Sequence, residues 1–221
     1  MHDNYELPLF PLNTVLFPGT PLQLHIFEER YKEMINMCIR EKRHFGVALI
    51  QEGKEALGNL PKPHLVGCSA NILNVQRLKQ RRMNIVALGQ ERFRIISANR
   101  ESNTYLSGLV EPYPIKTIDP GRTVSSAELL YPKVDIFIRR LVEAGGMKYN
   151  LQQLPEDPEA LAYMAAAMLQ ISPSKKQSLL ELDELDVLLY RLVDLYQREL
   201  AMLDILLMPS ADLMHGGFSR N

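Results

Sequence analysis

A chain of 221 residues can form one large domain or two small ones and still bury a sizeable core. With 46% hydrophobic and 23% charged residues, its composition is that of an ordinary soluble globular protein. Its 25 basic and 26 acidic residues leave a net charge of −1, which removes the simplest electrostatic argument for a dedicated nucleic-acid or anionic-membrane binder. No apolar run approaches the ~18 residues needed to span a membrane. The N-terminus, MHDNYE, carries no basic stretch followed by an apolar one. Cys38 and Cys68 are far apart and sit among apolar neighbours, so two reduced, buried thiols are expected rather than a disulfide. The expected localisation is therefore cytoplasmic, with no membrane partner.

Two proline-punctuated apolar segments, Leu7 to Leu12 and Val15 to Phe17, lead to a turn at Pro18-Gly19. A second strand-like run, Leu22 to Phe27, passes directly into a predicted helix over Glu28 to Arg43. Tyr31, Met34, Ile35, Cys38 and Ile39 recur there at spacings of three and four, giving one buried face. Strands are predicted at Phe45 to Gln51, His64 to Arg77, Met83 to Leu88, Arg92 to Ser97 and Tyr105 to Pro112, with a loop over Gly53 to Pro63. Many strands with one early helix point to a curled, mostly antiparallel sheet or small barrel.

The chain changes character across Tyr113 to Gly121, where two prolines and a glycine stop both helix and strand. Beyond it the pattern is helical. Ser125 to Glu128 has capping-box spacing and predicts a helix ending at Gly145-Gly146. Asp157-Pro158-Glu159 predicts a second helix start, running to Ile171. Ser172-Pro173 opens a short third helix through Leu180. A long final helix from Asp183 to Met208 carries Leu185, Leu189, Leu192, Tyr196, Leu200, Leu203 and Leu207 at spacings of three or four. Its wide apolar stripe favours packing within a bundle. The expected organisation is a β-rich subdomain over 1–118, a helical bundle over 119–208 and a flexible tail over 209–221.

Several segments in order resemble the Lon protease N-terminal, substrate-binding domain family. Leu7 to Gly19 (LPLFPLNTVLFPG) and Leu24 to Tyr31 (LHIFEERY) are similar to its two opening signatures. Phe45 to Leu49, Val66 to Ile72 and Met83 to Ile95 resemble its later strands, and Leu154 to Leu169 with Lys175 to Glu181 its helical half. One local departure is Arg77 to Arg82, where family members often carry an acidic or glycine-containing turn. The resemblance implies an α+β fold, a PUA-like β-rich part followed by a helical bundle. It also implies a non-catalytic module that recognises protein, unfolded segments or peptides, or that acts as an adaptor in a protease or chaperone system. In that family the ATPase and peptidase domains lie downstream, and the expectation here is a standalone member without them.

The residues themselves offer little catalytic chemistry. No GxxxxGK[ST] loop is present; Gly53-Lys54-Glu55 lacks both the earlier glycine and the following hydroxyl. Ser172-Pro-Ser-Lys175 matches S-x-x-K, but its companion motifs are missing and its residues suit a helix start. The five histidines, His2, His25, His44, His64 and His215, show no metal-ligand spacing. No enzyme activity, cofactor or metal is expected. The candidate peptide-binding residues are Met34, Met37, Met164 and Met168, whose flexible thioethers adapt to irregular apolar partners. They would act at a crevice between the β-subdomain and the bundle. Two alternatives stand beside this reading. One is a small-ligand binder or enzyme using the same crevice. The other is RNA binding through the basic hairpin Arg77, Lys79, Arg81 and Arg82, which lacks interleaved aromatic residues for base stacking.

Overall fold

A computed structural model describes residues 4–55, 60–99, 104–145 and 154–207. The tail expected over 209–221, and with it His215 and the N-terminal His2, lies outside the described residues. The fold is α+β. Strands β1 (Tyr5–Leu12) and β2 (Pro21–Ile26) precede helix α1 (Glu29–Glu41), followed by β3 (Phe45–Glu52), β4 (Lys62–Pro63), β5 (Val66–Arg77), β6 (Met83–Asn99) and β7 (Leu106–Pro112). Helices α2 (Pro120–Gly145), α3 (Pro158–Met168), α4 (Pro173–Leu180) and α5 (Leu185–Leu207) complete the described chain.

The strands run in the order β1-β7-β6-β5-β3, and β1 pairs again with β3, closing a small barrel. The closing β1–β3 pair is parallel; every other pair is antiparallel. A parallel pair needs a crossover connection. Here the crossover is β2 plus α1. Closure satisfies backbone groups that an open sheet would leave at its edges. β2 lies outside this ring and pairs only with the first half of β6, while β4 pairs with the end of β3.

Three apolar clusters fill the molecule. α1 packs Tyr31, Met34, Ile35 and Cys38 against Phe10, Phe45, Val47, Met83 and Ile85. The opposite part of the barrel is filled by Leu7, Leu9, Phe93, Ile95, Leu106 and Val110. The third cluster belongs to the helices, and Phe17 and Val66 from the β-rich part enter it. Helices α2 and α5 run side by side in parallel: Arg122 faces Asp186 near their starts, and Arg140 reaches the Leu200 carbonyl farther along.

The structure corrects four local expectations. Met83–Asn99 is one strand of 17 residues, not separate strands at Met83 to Leu88 and Arg92 to Ser97. Gly89 lies inside it because a Cβ there would stand 2.2 Å from the Phe17 carbonyl oxygen. The Phe17–Thr20 turn instead hydrogen-bonds both sides of Gly89, through Gly19 N to Gly89 O and Gly89 N to Thr20 O. Close approach, rather than a turn, requires that glycine. The strand expected over His64 to Arg77 begins at Val66, and the loop expected over Gly53 to Pro63 contains β4. Finally, α2 starts at Pro120 and not at the capping box. Asp119 Oδ1 accepts from Arg122 N at 2.9 Å, and Ser125 sits inside the helix with its hydroxyl donating back to the Gly121 carbonyl. The other caps form as their residue types imply. Asp157 accepts from Ala160 N at 2.8 Å, and Ser172 accepts from Lys175 N.

Candidate functional site

The crevice between barrel and helices is a groove of about 550 Å³ whose lining mixes charged side chains with apolar surface. His64 Nδ1 stands 3.4 Å from a Glu181 carboxylate oxygen, and Arg94 lies over the Tyr113 ring at 3.9 Å. Lys62 and Gln51 line the same wall, and the one strongly exposed apolar residue there is Leu65, at 62% exposure. Behind the crevice the two parts are clamped. Arg92 is 2% exposed, and its Nη1 donates to the carbonyls of Leu180 and Leu182 at 2.6 Å each. Gln177 Nε2 donates to the Val66 carbonyl at 3.0 Å. Lys116 N donates to the Asp183 carbonyl, and Leu185 N to the Lys116 carbonyl.

The four methionines occupy two separate clusters. Met34 has no exposed surface and is part of the α1–barrel core, where Met37 packs half-buried at its edge. Met164 and Met168 are half-buried against the helical cluster. The basic residues Arg77, Lys79, Arg81 and Arg82 are all exposed at the β5–β6 hairpin tip. Arg77 bonds the Asn36 side chain at 3.3 Å and Arg82 the Gln80 side chain at 2.6 Å. Gln80 and Arg81 have positive φ values of 60° and 56°, and the Gln80 carbonyl accepts from Lys32 Nζ on α1. The tip is thus held against α1. Ser172 and Lys175 meet through a cap, hydroxyl to backbone amide, and not through the lysine amine.

A second concavity, of about 310 Å³, runs along β2 to the start of α1. Its apolar wall is built from Phe10, Leu12, Leu24, Ile26, Phe27 and Tyr31. Phe10 and Tyr31 stack at 4.1 Å to form part of the lining. Phe27 is 46% exposed and lies 6.0 Å from the His25 ring, which is fixed by a 2.7 Å hydrogen bond to Asn84. Two features here escape sequence reading. First, β2 pairs with β6 alone, so its other edge makes no strand pairing among the described residues. Second, the buried Tyr31 hydroxyl has no hydrogen-bond partner among the described residues. Burial pushes that hydroxyl up to about 12, so it stays protonated and able to donate. Alternation in Leu22, Leu24 and Ile26 signalled a strand; it could not show which edge would stay open.

The fold is thus a closed barrel with a crossover helix, joined to a helical bundle and bearing an open strand edge. The chain belongs to the family of ATP-dependent protease La (LON) substrate-binding domains, whose sequence pattern matches residues 6–198. A Lon protease of Paraburkholderia phytofirmans is 28% identical over 177 residues, covering 79% of this chain and 22% of that protein. One from Anaeromyxobacter dehalogenans is 23% identical over 201 residues, covering 90% of this chain. The chain thus spans about a quarter of the length of such relatives (24% in the latter case). The crystal structure of a Lon N-terminal domain protein from Xanthomonas campestris matches with a TM-score of 0.60 at 26% identity, covering 86% of this chain and 98% of that one. The N-terminal domain of a Mycobacterium avium complex Lon protease shares the fold, with a TM-score of 0.65 at 19% identity over 87% of this chain and 98% of that one. No helix among the described residues is long and apolar enough to cross a membrane.

Proposed function

We propose that this chain is a recognition module that holds extended, apolar segments of unfolded protein along β2, presenting them within a protease or chaperone system. The observation that carries the reading is the open β2 edge beside an apolar trough whose lining includes the stacked Phe10 and Tyr31 rings. An extended segment laid there would add a strand, using main-chain hydrogen bonds that do not depend on its sequence. Its alternate side chains would enter the trough between Leu24, Phe27 and Tyr31. Family membership supports the same reading, since the matched module is a substrate-binding one.

The test is capture of a permanently unfolded, reduced and carboxymethylated model protein, with its folded form as control. Phe27→Asp should weaken capture roughly tenfold, because a half-exposed aromatic buried on binding contributes about 1–2 kcal/mol. Circular dichroism of the variant should be unchanged. Equal capture of folded and unfolded protein, or capture indifferent to Phe27→Asp, would overturn the proposal.

A further inference from the structure

A different apolar groove, of about 540 Å³, lies between α2 and α3 on the helical part. Val124, Ala127, Tyr131 and Pro132 line it from α2, and Pro158 and Leu161 from α3. Val124 is 51% exposed, so apolar surface in this groove faces solvent. The only charged residues in the lining are Glu128 and Glu156. Neither carboxylate makes a hydrogen bond or ion pair among the described residues. Asp157, not Glu156, caps α3, so the helix end does not account for Glu156. The nearby cation Arg122 is turned toward α5, pairing with Asp186 and lying over Tyr190.

The backbone adds another acceptor. Pro132 lies inside α2 and has no N–H, so the Glu128 carbonyl lacks its ordinary donor four residues on. Glu128 and Pro132 both line the groove. Two carboxylates and an under-used carbonyl, set in an apolar trough with no cation, call for a ligand that brings both donors and apolar side chains. The net charge of −1 makes this a local feature and not a property of the whole surface.

We propose that the α2–α3 groove binds a cationic, apolar segment of a partner polypeptide. An aliphatic side chain of that segment enters between Val124, Tyr131 and Leu161, and a flanking lysine or arginine reaches Glu128 and Glu156. This site is separate from the β2 trough and selects by charge as well as apolarity.

The experiment uses the full chain and three labelled peptides of equal length in fluorescence anisotropy. One carries a leucine-valine core flanked by lysines, the second the same core flanked by glutamates, and the third lysines with a serine core. The lysine-flanked apolar peptide should bind and the other two should bind at least tenfold more weakly. Glu128→Gln with Glu156→Gln should weaken it on the order of tenfold and flatten its salt dependence. Val124→Lys should do the same by supplying an internal cation. All three positions are exposed, so thermal melts should match the parent. Phe27→Asp should leave this binding intact, which separates failure here from failure of the β2 reading. Equal binding of lysine- and glutamate-flanked peptides, loss through Phe27→Asp alone, or self-association of the chain that is abolished by Val124→Lys would each overturn the proposal.

Discussion

Burial raises both cysteine thiols, Cys38 to about 11 and Cys68 to about 12, from an ordinary value of 9.0. Both lie in the α1–barrel core, and Cys68 Sγ is 3.3 Å from the Ser69 carbonyl. They are free rather than bridged, as their apolar settings in the sequence imply. A raised thiol value means the fold holds the proton more tightly than the unfolded chain does. The contribution to stability is therefore fully present below pH 9 and is lost as pH rises through the folded values of about 11 and 12. Tyr31, raised from 10.0 to about 12, acts in the same direction. Urea unfolding at pH 8 and pH 10.5 should show lower stability at the higher pH, and Cys38→Ser with Cys68→Ala should reduce that difference. Native thiols should also resist alkylation at pH 8 until the chain is unfolded, because the reactive thiolate is scarce. Equal stability at both values would contradict this account.

Among the elements, α2 carries an evident defect. Pro132 removes one intrahelical hydrogen bond and crowds the preceding turn, at a usual cost of about 3 kcal/mol in a helix interior. Pro132→Ala should stabilise the chain by about 1–3 kcal/mol, read as a higher urea midpoint with unchanged slope; a destabilised variant would show that the neighbouring packing depends on the ring. The same helix shows where sequence reading ends. Its apolar spacing was legible, as were the caps at Asp157 and Ser172, because these depend on neighbours within a turn. Its start was not, because Ser125–Glu128 and Asp119–Arg122 both offer valid caps and only the latter is used. Gly89 is the strand counterpart: it falls in the gap between the strands expected at Met83 to Leu88 and Arg92 to Ser97, and only the Phe17 carbonyl pressed against it shows why glycine continues the strand there. The methionines illustrate the same limit for sites. Helical spacing identified Met34 as facing something apolar, and that something is the barrel core. The β2 edge and the α2–α3 groove depend on which elements stay unpaired, a property of the tertiary arrangement alone.

For the molecule as a whole, the question is whether barrel and helices behave as one cooperative unit. The apolar bridge is narrow: Phe17 and Val66 enter the helical cluster, with Ile115 following β7. Polar contacts make up much of the remainder, namely Arg92 to Leu180 and Leu182, Gln177 to Val66, and the Lys116 ladder to Asp183 and Leu185. Arg92 is central because one nitrogen satisfies two carbonyls at the end of α4 and just beyond it. Its Nε and Nη2 are buried without hydrogen-bond partners among the described residues, which offsets part of that gain. Arg92→Ala would leave both carbonyls without that donor and open a void beside Tyr113, whose ring lies 4.8 Å from the guanidinium. The expected loss is about 2–4 kcal/mol, since each charge-assisted hydrogen bond contributes about 1.5–3 kcal/mol before desolvation is subtracted. Loss of the clamp should also uncouple the two cores. The parent should unfold in urea in one transition, seen alike by far-ultraviolet circular dichroism and tyrosine fluorescence. Arg92→Ala should split it, because the helical part and the barrel then rely on separate apolar clusters. A variant that remained two-state, with an unchanged midpoint, would mean that Phe17 and Val66, with the Gln177 and Lys116 contacts, hold the halves together without Arg92.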